Sequence, residues 1–174
     1  HGLRGASIRF PKASVGATVN AILLAATAQG SSRIENFARE PHIFNLIDYL
    51  RSAGADIQVL ENVIIIHGRE LHGGNVAIDG DPIEAGTYAA LSAITGGNIT
   101  VLGIDPASLE SYLAPLLEAG AQLDTDGGIT LRTLPKEQTS IVAEPYPGFP
   151  TDLQPIAAPI LACANGGTLE DRVW

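Results

Sequence analysis

The sequence predicts an α/β fold built from a repeated unit of helix, strand, helix and hairpin. Three observations predict it. Helical apolar periods alternate with short β-branched runs along all 174 residues. The order of elements returns about 66 residues on, Gly54-Ala55 being answered by Gly120-Ala121. Hydrophobic residues make up 45% of the chain but aromatics only 5%, which suits alanine and branched side chains packed closely between helices and sheets.

The elements follow in order. Residues 16–29 form an Ala/Leu-rich helical run closed by Gly30, and residues 33–37 read as a strand. Residues 41–53 form a second helix. Pro41 suits its first turn, Ile43, Leu46, Ile47 and Leu50 make one apolar stripe, and Gly54 ends it. Residues 56–60 and 63–67 form a hairpin about Glu61-Asn62.

The second copy has a helix at 83–95 ending in Gly96-Gly97, a strand at 98–102, and a helix at 106–119 with Leu109, Leu113, Leu116 and Leu117 on one side. A hairpin of 122–125 and 129–132 turns on Asp126-Gly127-Gly128. A third copy has a strand at 140–144, a helix at 156–163 and a strand at 168–174 after Gly166-Gly167, without a second helix or hairpin. Such a unit cannot bury its own apolar faces, so the chain reads as a fragment of a larger stack.

Net charge is −9, which argues against a nucleic-acid partner, since neutralising phosphates needs a basic surface. The charge is unevenly spread. Arg4, Arg9, Lys12 and Arg33 precede the first acid, Glu35, so the opening stretch reads either as a local anion site or as ordinary surface lysine and arginine. The longest apolar run, residues 21–28, is too short to span a bilayer. A single cysteine excludes an internal disulfide and fits a cytoplasmic location. That residue, Cys163, sits in an apolar run and reads as a small core residue. The histidines His1, His42, His67 and His72 show no metal-ligand spacing, so no metal or cofactor is expected.

Two stretches could carry chemistry. Lys12-Ala-Ser-Val-Gly-Ala-Thr18 places a lysine and a hydroxyl before a helix N-terminus, where free N–H groups favour an anion; Ser14 could equally be only the helix cap. In Tyr146-Pro-Gly-Phe-Pro-Thr-Asp-Leu-Gln154, Pro147 and Pro150 fix φ and predict a stiff, extended turn leading into a helix. Asp152 then stands at the helix start, either as a cap or as a positioned proton acceptor. Between the two, Arg39 and Glu40 could line a cleft or pair on the surface, and the surface pair is the favoured reading.

These stretches, with Asn36-Phe-Ala-Arg-Glu-Pro41 and Asp81-Pro-Ile-Glu-Ala-Gly-Thr87, resemble the UDP-N-acetylglucosamine enolpyruvyl transferases in order and spacing. The resemblance spans essentially the whole chain, which would be about two fifths of such an enzyme, from its middle. It implies an incomplete set of the βαβαββ units that form this family's two inside-out α/β barrel domains. Residues 1–74 would be the last unit of one domain and residues 75–174 one and a half units of the second, with the crossing near residues 73–82. It further implies transfer of an enolpyruvyl group from phosphoenolpyruvate to the 3-hydroxyl of UDP-N-acetylglucosamine, in peptidoglycan synthesis. The residue matching Asp152 takes the hydroxyl proton. Those matching Lys12, Ser14, Val15 and Gly16 hold the UDP portion, while Thr151 and Val173 match positions near the nucleotide sugar. The family's reactive cysteine and its phosphoenolpyruvate-binding arginines and lysine fall outside this segment, so this chain alone is expected to be inactive. Pro82 stands where the family usually has arginine. That departure leaves a non-catalytic UDP-sugar-binding homologue as an alternative, beside the related 5-enolpyruvylshikimate-3-phosphate synthase.

Overall fold

The computed structural model describes residues 2–173; His1 and the Trp174 end of the expected last strand lie outside the described residues. The chain divides into two compact units, His1–Ile78 and Asp79–Trp174.

The first unit holds β1 (Ser7–Arg9), α1 (Val15–Ala26), β2 (Ser31–Glu35), α2 (Pro41–Ser52), β3 (Asp56–Leu60) and β4 (Val63–His67). Its sheet has the order β1-β2-β4-β3. β1 runs parallel to β2, with Ile8 opposite Ile34, and β4 runs antiparallel to both β2 and β3. Register decides the core. Ile34 pairs with Ile64, Ser32 with Ile66, and Ile57 with Ile66, so these side chains share one face. Ile22, Ala25, Ile43 and Ile47 of α1 and α2 cover that face and are buried with it. Burying one such isoleucine contributes about 1.5–3 kcal/mol.

Periodicity could not reveal β1, because it is three residues long and only half-buried at Ile8. α1 ends at Ala26, before the predicted limit, and Gly30, with φ of +89°, belongs to the turn into β2 rather than to the helix cap.

The second unit holds α3 (Pro82–Thr95), α4 (Glu110–Glu118), β5 (Leu123–Asp124), β6 (Thr130–Leu131), β7 (Thr139–Ala143), α5 (Gln154–Cys163) and β8 (Gly167–Asp171). β5 and β6 are antiparallel, and β7 and β8 are parallel. A 3-10 turn, Pro106–Leu109, leads into α4, and Asp105 accepts a hydrogen bond from the Ala107 N–H at its start. The predicted single helix at 106–119 is therefore two pieces. The alanine faces of α3 and α5 (Ala85, Ala89, Ala93 and Ala157) lie in one core with Tyr112, Leu116, Ile129, Leu131, Ile141 and Leu153.

The predicted strand at 98–102 shrinks to a single bridge, Val101 to Ile129, with hydrogen bonds of 2.8 and 2.9 Å. Its counterpart, β2, is pinned on both sides by β1 and β4. Here no strand among the described residues flanks the other edge, and a two-stranded ladder is marginal by itself.

The repeat survives in backbone detail. At the end of α2, Ala55 N–H donates to Leu50 O (2.8 Å) and Gly54 N–H to Arg51 O (2.9 Å). At the end of α4, Ala121 N–H donates to Leu116 O (3.0 Å) and Gly120 N–H to Leu117 O (2.9 Å). Gly54 and Gly120 have φ of +97° and +89°, the left-handed conformation such a helix end requires and glycine adopts most readily. Among the described residues no helix is long and apolar enough to cross a membrane.

Candidate functional site

The proline-rich bend is a closed turn, not the extended one the prolines predicted. Gly148 N–H donates to Pro145 O (2.9 Å), and Glu144 N–H donates to Phe149 O (3.1 Å), bringing Phe149 back beside the end of β7. Pro restricts φ and the preceding residue, but it does not prevent reversal where glycine follows. Phe149 is 5% exposed, and its ring lies 5.9 Å from that of Tyr112. Burial pushes the Tyr112 hydroxyl pKa far up, and the group donates to Gly86 O at 3.4 Å. Past Pro150, residues Thr151–Leu153 form a single 3-10 turn that runs into α5. Leu153 is 1% exposed and packs where Gly86 leaves room; a Cβ on Gly86 would stand 3.1 Å from Leu153 Cδ2.

Asp152 is the exposed residue between these two buried anchors. Neither the 3-10 turn nor α5 has a side-chain cap bond, so the capping role open in the sequence is not what Asp152 does. Its carboxylate has no hydrogen bond or ion pair with any described residue. It lies in the first turn of the helical segment, where an anion is favoured.

Thr151 and Val173, the other expected residues of this unit, meet at Asp171. Thr151 Oγ1 donates to Asp171 Oδ2 at 2.5 Å, Gln154 Nε2 donates to the same oxygen at 2.6 Å, and Val173 N–H donates to Asp171 Oδ1 at 2.7 Å. Sequence reading missed both Asp171 and Gln154. An acid at the end of a short strand carries no pattern, and a glutamine after Leu153 reads as an ordinary helix start. Beside them, Arg172 bonds Glu170 at 2.8 Å and Glu144 at 3.2 Å. The hydrogen bond from Arg172 holds the Glu170 carboxyl below its usual range, and Glu170 in turn raises the Arg172 guanidinium.

In the first unit, Ser14 caps α1: its backbone is extended (φ −143°, ψ 124°) and its Oγ accepts from Ala17 N–H at 3.4 Å. Lys12 and Gly16 are exposed, and Val15 is half-buried. Nothing lies within 4 Å of where a Gly16 Cβ would be, so the backbone there is open to approach. Thr18, at the end of the same motif, has a structural job. It is fully buried, and its Oγ1 accepts from Ala38 N–H at 2.9 Å, tying α1 to the loop after β2. In that loop Arg39 lies over the Phe37 ring at 5.8 Å, and no ion pair joins Arg39 to Glu40, contrary to the expected surface pairing. The negative face of the ring attracts the guanidinium.

Two further sequence readings change or gain a cause. Cys163 is exposed, not a core residue, because it is the last residue of α5 and lies beyond the buried stripe of Ala157, Ile160 and Leu161. Pro82 is the first helical residue of α3, where a missing N–H costs nothing, and Asp81 Oδ1 accepts from Ile83 N–H at 2.8 Å to complete the cap. Among the described residues no cluster of three or more His, Cys, Asp or Glu side chains could hold a metal ion.

Residues 1–169 match the family described as EPSP synthase (3-phosphoshikimate 1-carboxyvinyltransferase). The chain is 42% identical over 168 residues to UDP-N-acetylglucosamine 1-carboxyvinyltransferase 3 of Caldanaerobacter subterraneus, covering 94% of this chain and 40% of the relative. It is 45% identical over 174 residues to UDP-N-acetylglucosamine 1-carboxyvinyltransferase of Azorhizobium caulinodans, covering 95% and 40%. The crystal structure of the enolpyruvyl transferase NikO from Streptomyces tendae aligns with a TM-score of 0.85 at 25% identity, over 100% of this chain and 46% of that one. The chain thus spans about two fifths of the length of the curated relatives it matches. With its βαβαββ unit and its partial second copy, the chain belongs to the EPSP synthase family of enolpyruvyl transferases.

Proposed function

We propose that this chain is part of a longer enzyme that transfers the enolpyruvyl group of phosphoenolpyruvate to the 3-hydroxyl of UDP-N-acetylglucosamine, in the cytoplasm, on the way to peptidoglycan. Residues 1–74 belong to one domain of that enzyme and residues 75–174 to the other. The remaining segments of the parent, with phosphoenolpyruvate and the nucleotide sugar, are its partners, and neither nucleic acid nor a membrane is involved. The observation that carries this reading is Asp152: an exposed carboxylate without a partner among the described residues, at the head of a helix, on a turn anchored on both sides. The names of the relatives at 42% and 45% identity supply the substrate class.

In this reading Asp152 accepts the proton of the sugar 3-hydroxyl as its oxygen bonds to C2 of phosphoenolpyruvate, while C3 takes a proton from an acid in the remaining segments of the parent and becomes a methyl group. Phosphate then leaves the tetrahedral adduct, and the enol ether forms by loss of a proton from the methyl carbon. An ionised carboxylate is a weak base in water, and it gains strength when a closed site desolvates it. Lys12, Ser14, Val15 and Gly16 take the UDP portion. Lys12 supplies charge, and Gly16 gives a backbone that a diphosphate can approach. Thr151 and Val173 sit near the nucleotide sugar. Pro82 suits the start of α3, and the arginine it stands in for is what the non-catalytic alternative rests on.

Phosphate release by the full-length protein tests the reading. Release is expected with phosphoenolpyruvate and UDP-N-acetylglucosamine together, and not when shikimate 3-phosphate replaces the nucleotide sugar. The opposite preference would make it the shikimate enzyme. Binding of the nucleotide sugar without any release would make it a binding homologue.

A further inference from the structure

Asp152 has no side-chain partner among the described residues, so what positions it is the backbone beneath it, which sets where its Cβ points. That backbone is one 3-10 turn. We propose that Asp171 is a positioning residue for the reaction, clamping the turn that presents Asp152 to the end of β8. The inference rests on the reading that Asp152 takes the sugar proton.

The Asp171 carboxylate accepts from Thr151 Oγ1 at 2.5 Å, from Gln154 Nε2 at 2.6 Å and from Val173 N–H at 2.7 Å. Gln154 Nε2 also lies 3.2 Å from Thr151 Oγ1, closing a triangle across the foot of the turn. Thr151 and Gln154 flank the Asp152-Leu153 pair, so both ends of that pair are held by one carboxylate oxygen. Bonds to an ionised acceptor are shorter and stronger than neutral ones. Strand pairing does not need this side chain. Ala143 already pairs with Asp171 through the backbone, and Arg172 N–H donates to Ala143 O at 2.9 Å just beyond. A residue whose only task was to end β8 could be alanine. What the carboxylate adds is a fixed distance between the end of β8, just before Val173, and the turn carrying Asp152. In a proton transfer coupled to bond formation, misplacing a group by about 1 Å can cost about a hundredfold.

The test uses the full-length enzyme with Asp171→Ala, Asp171→Glu, Asp152→Asn and the double variant Asp152→Asn/Asp171→Ala, measuring kcat, both KM values and Tm. Asp171→Ala is expected to lower kcat by about ten- to a hundredfold while the protein stays folded at the assay temperature. Asp171→Glu is expected to recover part of that loss. In the Asp152→Asn background, removing Asp171 is expected to add no further loss of kcat, since its effect runs through Asp152. Equal losses in both backgrounds would overturn the inference, as would an Asp171→Ala enzyme with parental kcat beside an impaired Asp152→Asn. Parental turnover in Asp152→Asn would instead overturn the base assignment, and the inference with it. Should Asp171→Ala fail to fold, Thr151→Val removes one arm of the clamp at nearly constant shape and enters the same comparison.

Discussion

Gly86 of α3 and Leu153 at the head of α5 pack so closely that a single added carbon would press them: a Cβ on Gly86 would come within 3.1 Å of Leu153 Cδ2 and 3.5 Å of Tyr112 Cε1. The glycine lets two helices approach beneath the turn that carries Asp152. It also leaves its carbonyl for the Tyr112 hydroxyl. Helix packing and the candidate site are thus linked at one position.

Substitution there follows from the geometry. Gly86→Val places three carbons where one is already tight, and overpacking of this kind costs about 1–3 kcal/mol. The midpoint of urea unfolding of the full chain is expected to fall with little change in slope. An unchanged midpoint would mean that α3 and α5 do not approach as described.

Thr18 offers a second handle. Thr18→Val keeps the shape but leaves the buried Ala38 N–H without an acceptor, at a cost of about 1–3 kcal/mol. Thr18→Ser retains the hydroxyl and is expected to cost clearly less, mainly through its lost methyl. Equal stabilities for the two variants by thermal unfolding would show that the hydroxyl bond is idle.

Much of this architecture was legible because it rests on local rules. Ile43, Ile47 and Leu50 mark α2 by their spacing, Gly54 and Gly120 mark matching helix ends, and Glu61-Asn62 marks the β3–β4 hairpin. What stayed hidden depends on contacts distant in sequence. β1 exists because β2 pairs with it, and the stretch around Val101 lacks such support on one side. In the candidate site, Thr151 and Val173 were named from a resemblance. Asp171, which bonds both, is 20 residues from Thr151 and has no motif to announce it. The reversal at Pro145–Gly148 was misread because Pro147 and Pro150 predict restricted φ but not the hydrogen bond that closes the turn.

The ion pair behind the candidate site titrates in a defined direction. The hydrogen bond from Arg172 depresses the Glu170 pKa in the folded state, so this pairing contributes fully above the ordinary glutamate range. Its contribution is lost as pH falls through the lower, folded value. Carboxyl NMR is expected to show Glu170 titrating below ordinary glutamates, and Arg172→Ala is expected to move that midpoint back up. A midpoint unmoved by the substitution would remove Arg172 as the cause.

The measurement that bears most directly on the central claim is turnover of the full-length enzyme carrying Asp152→Asn, alongside its affinity for UDP-N-acetylglucosamine. The substitution keeps size and polarity and removes the proton acceptor, so turnover is expected to fall by at least about a hundredfold while affinity stays within about threefold. Turnover equal to that of the parent would contradict the assignment of Asp152 as the group that takes the sugar's proton.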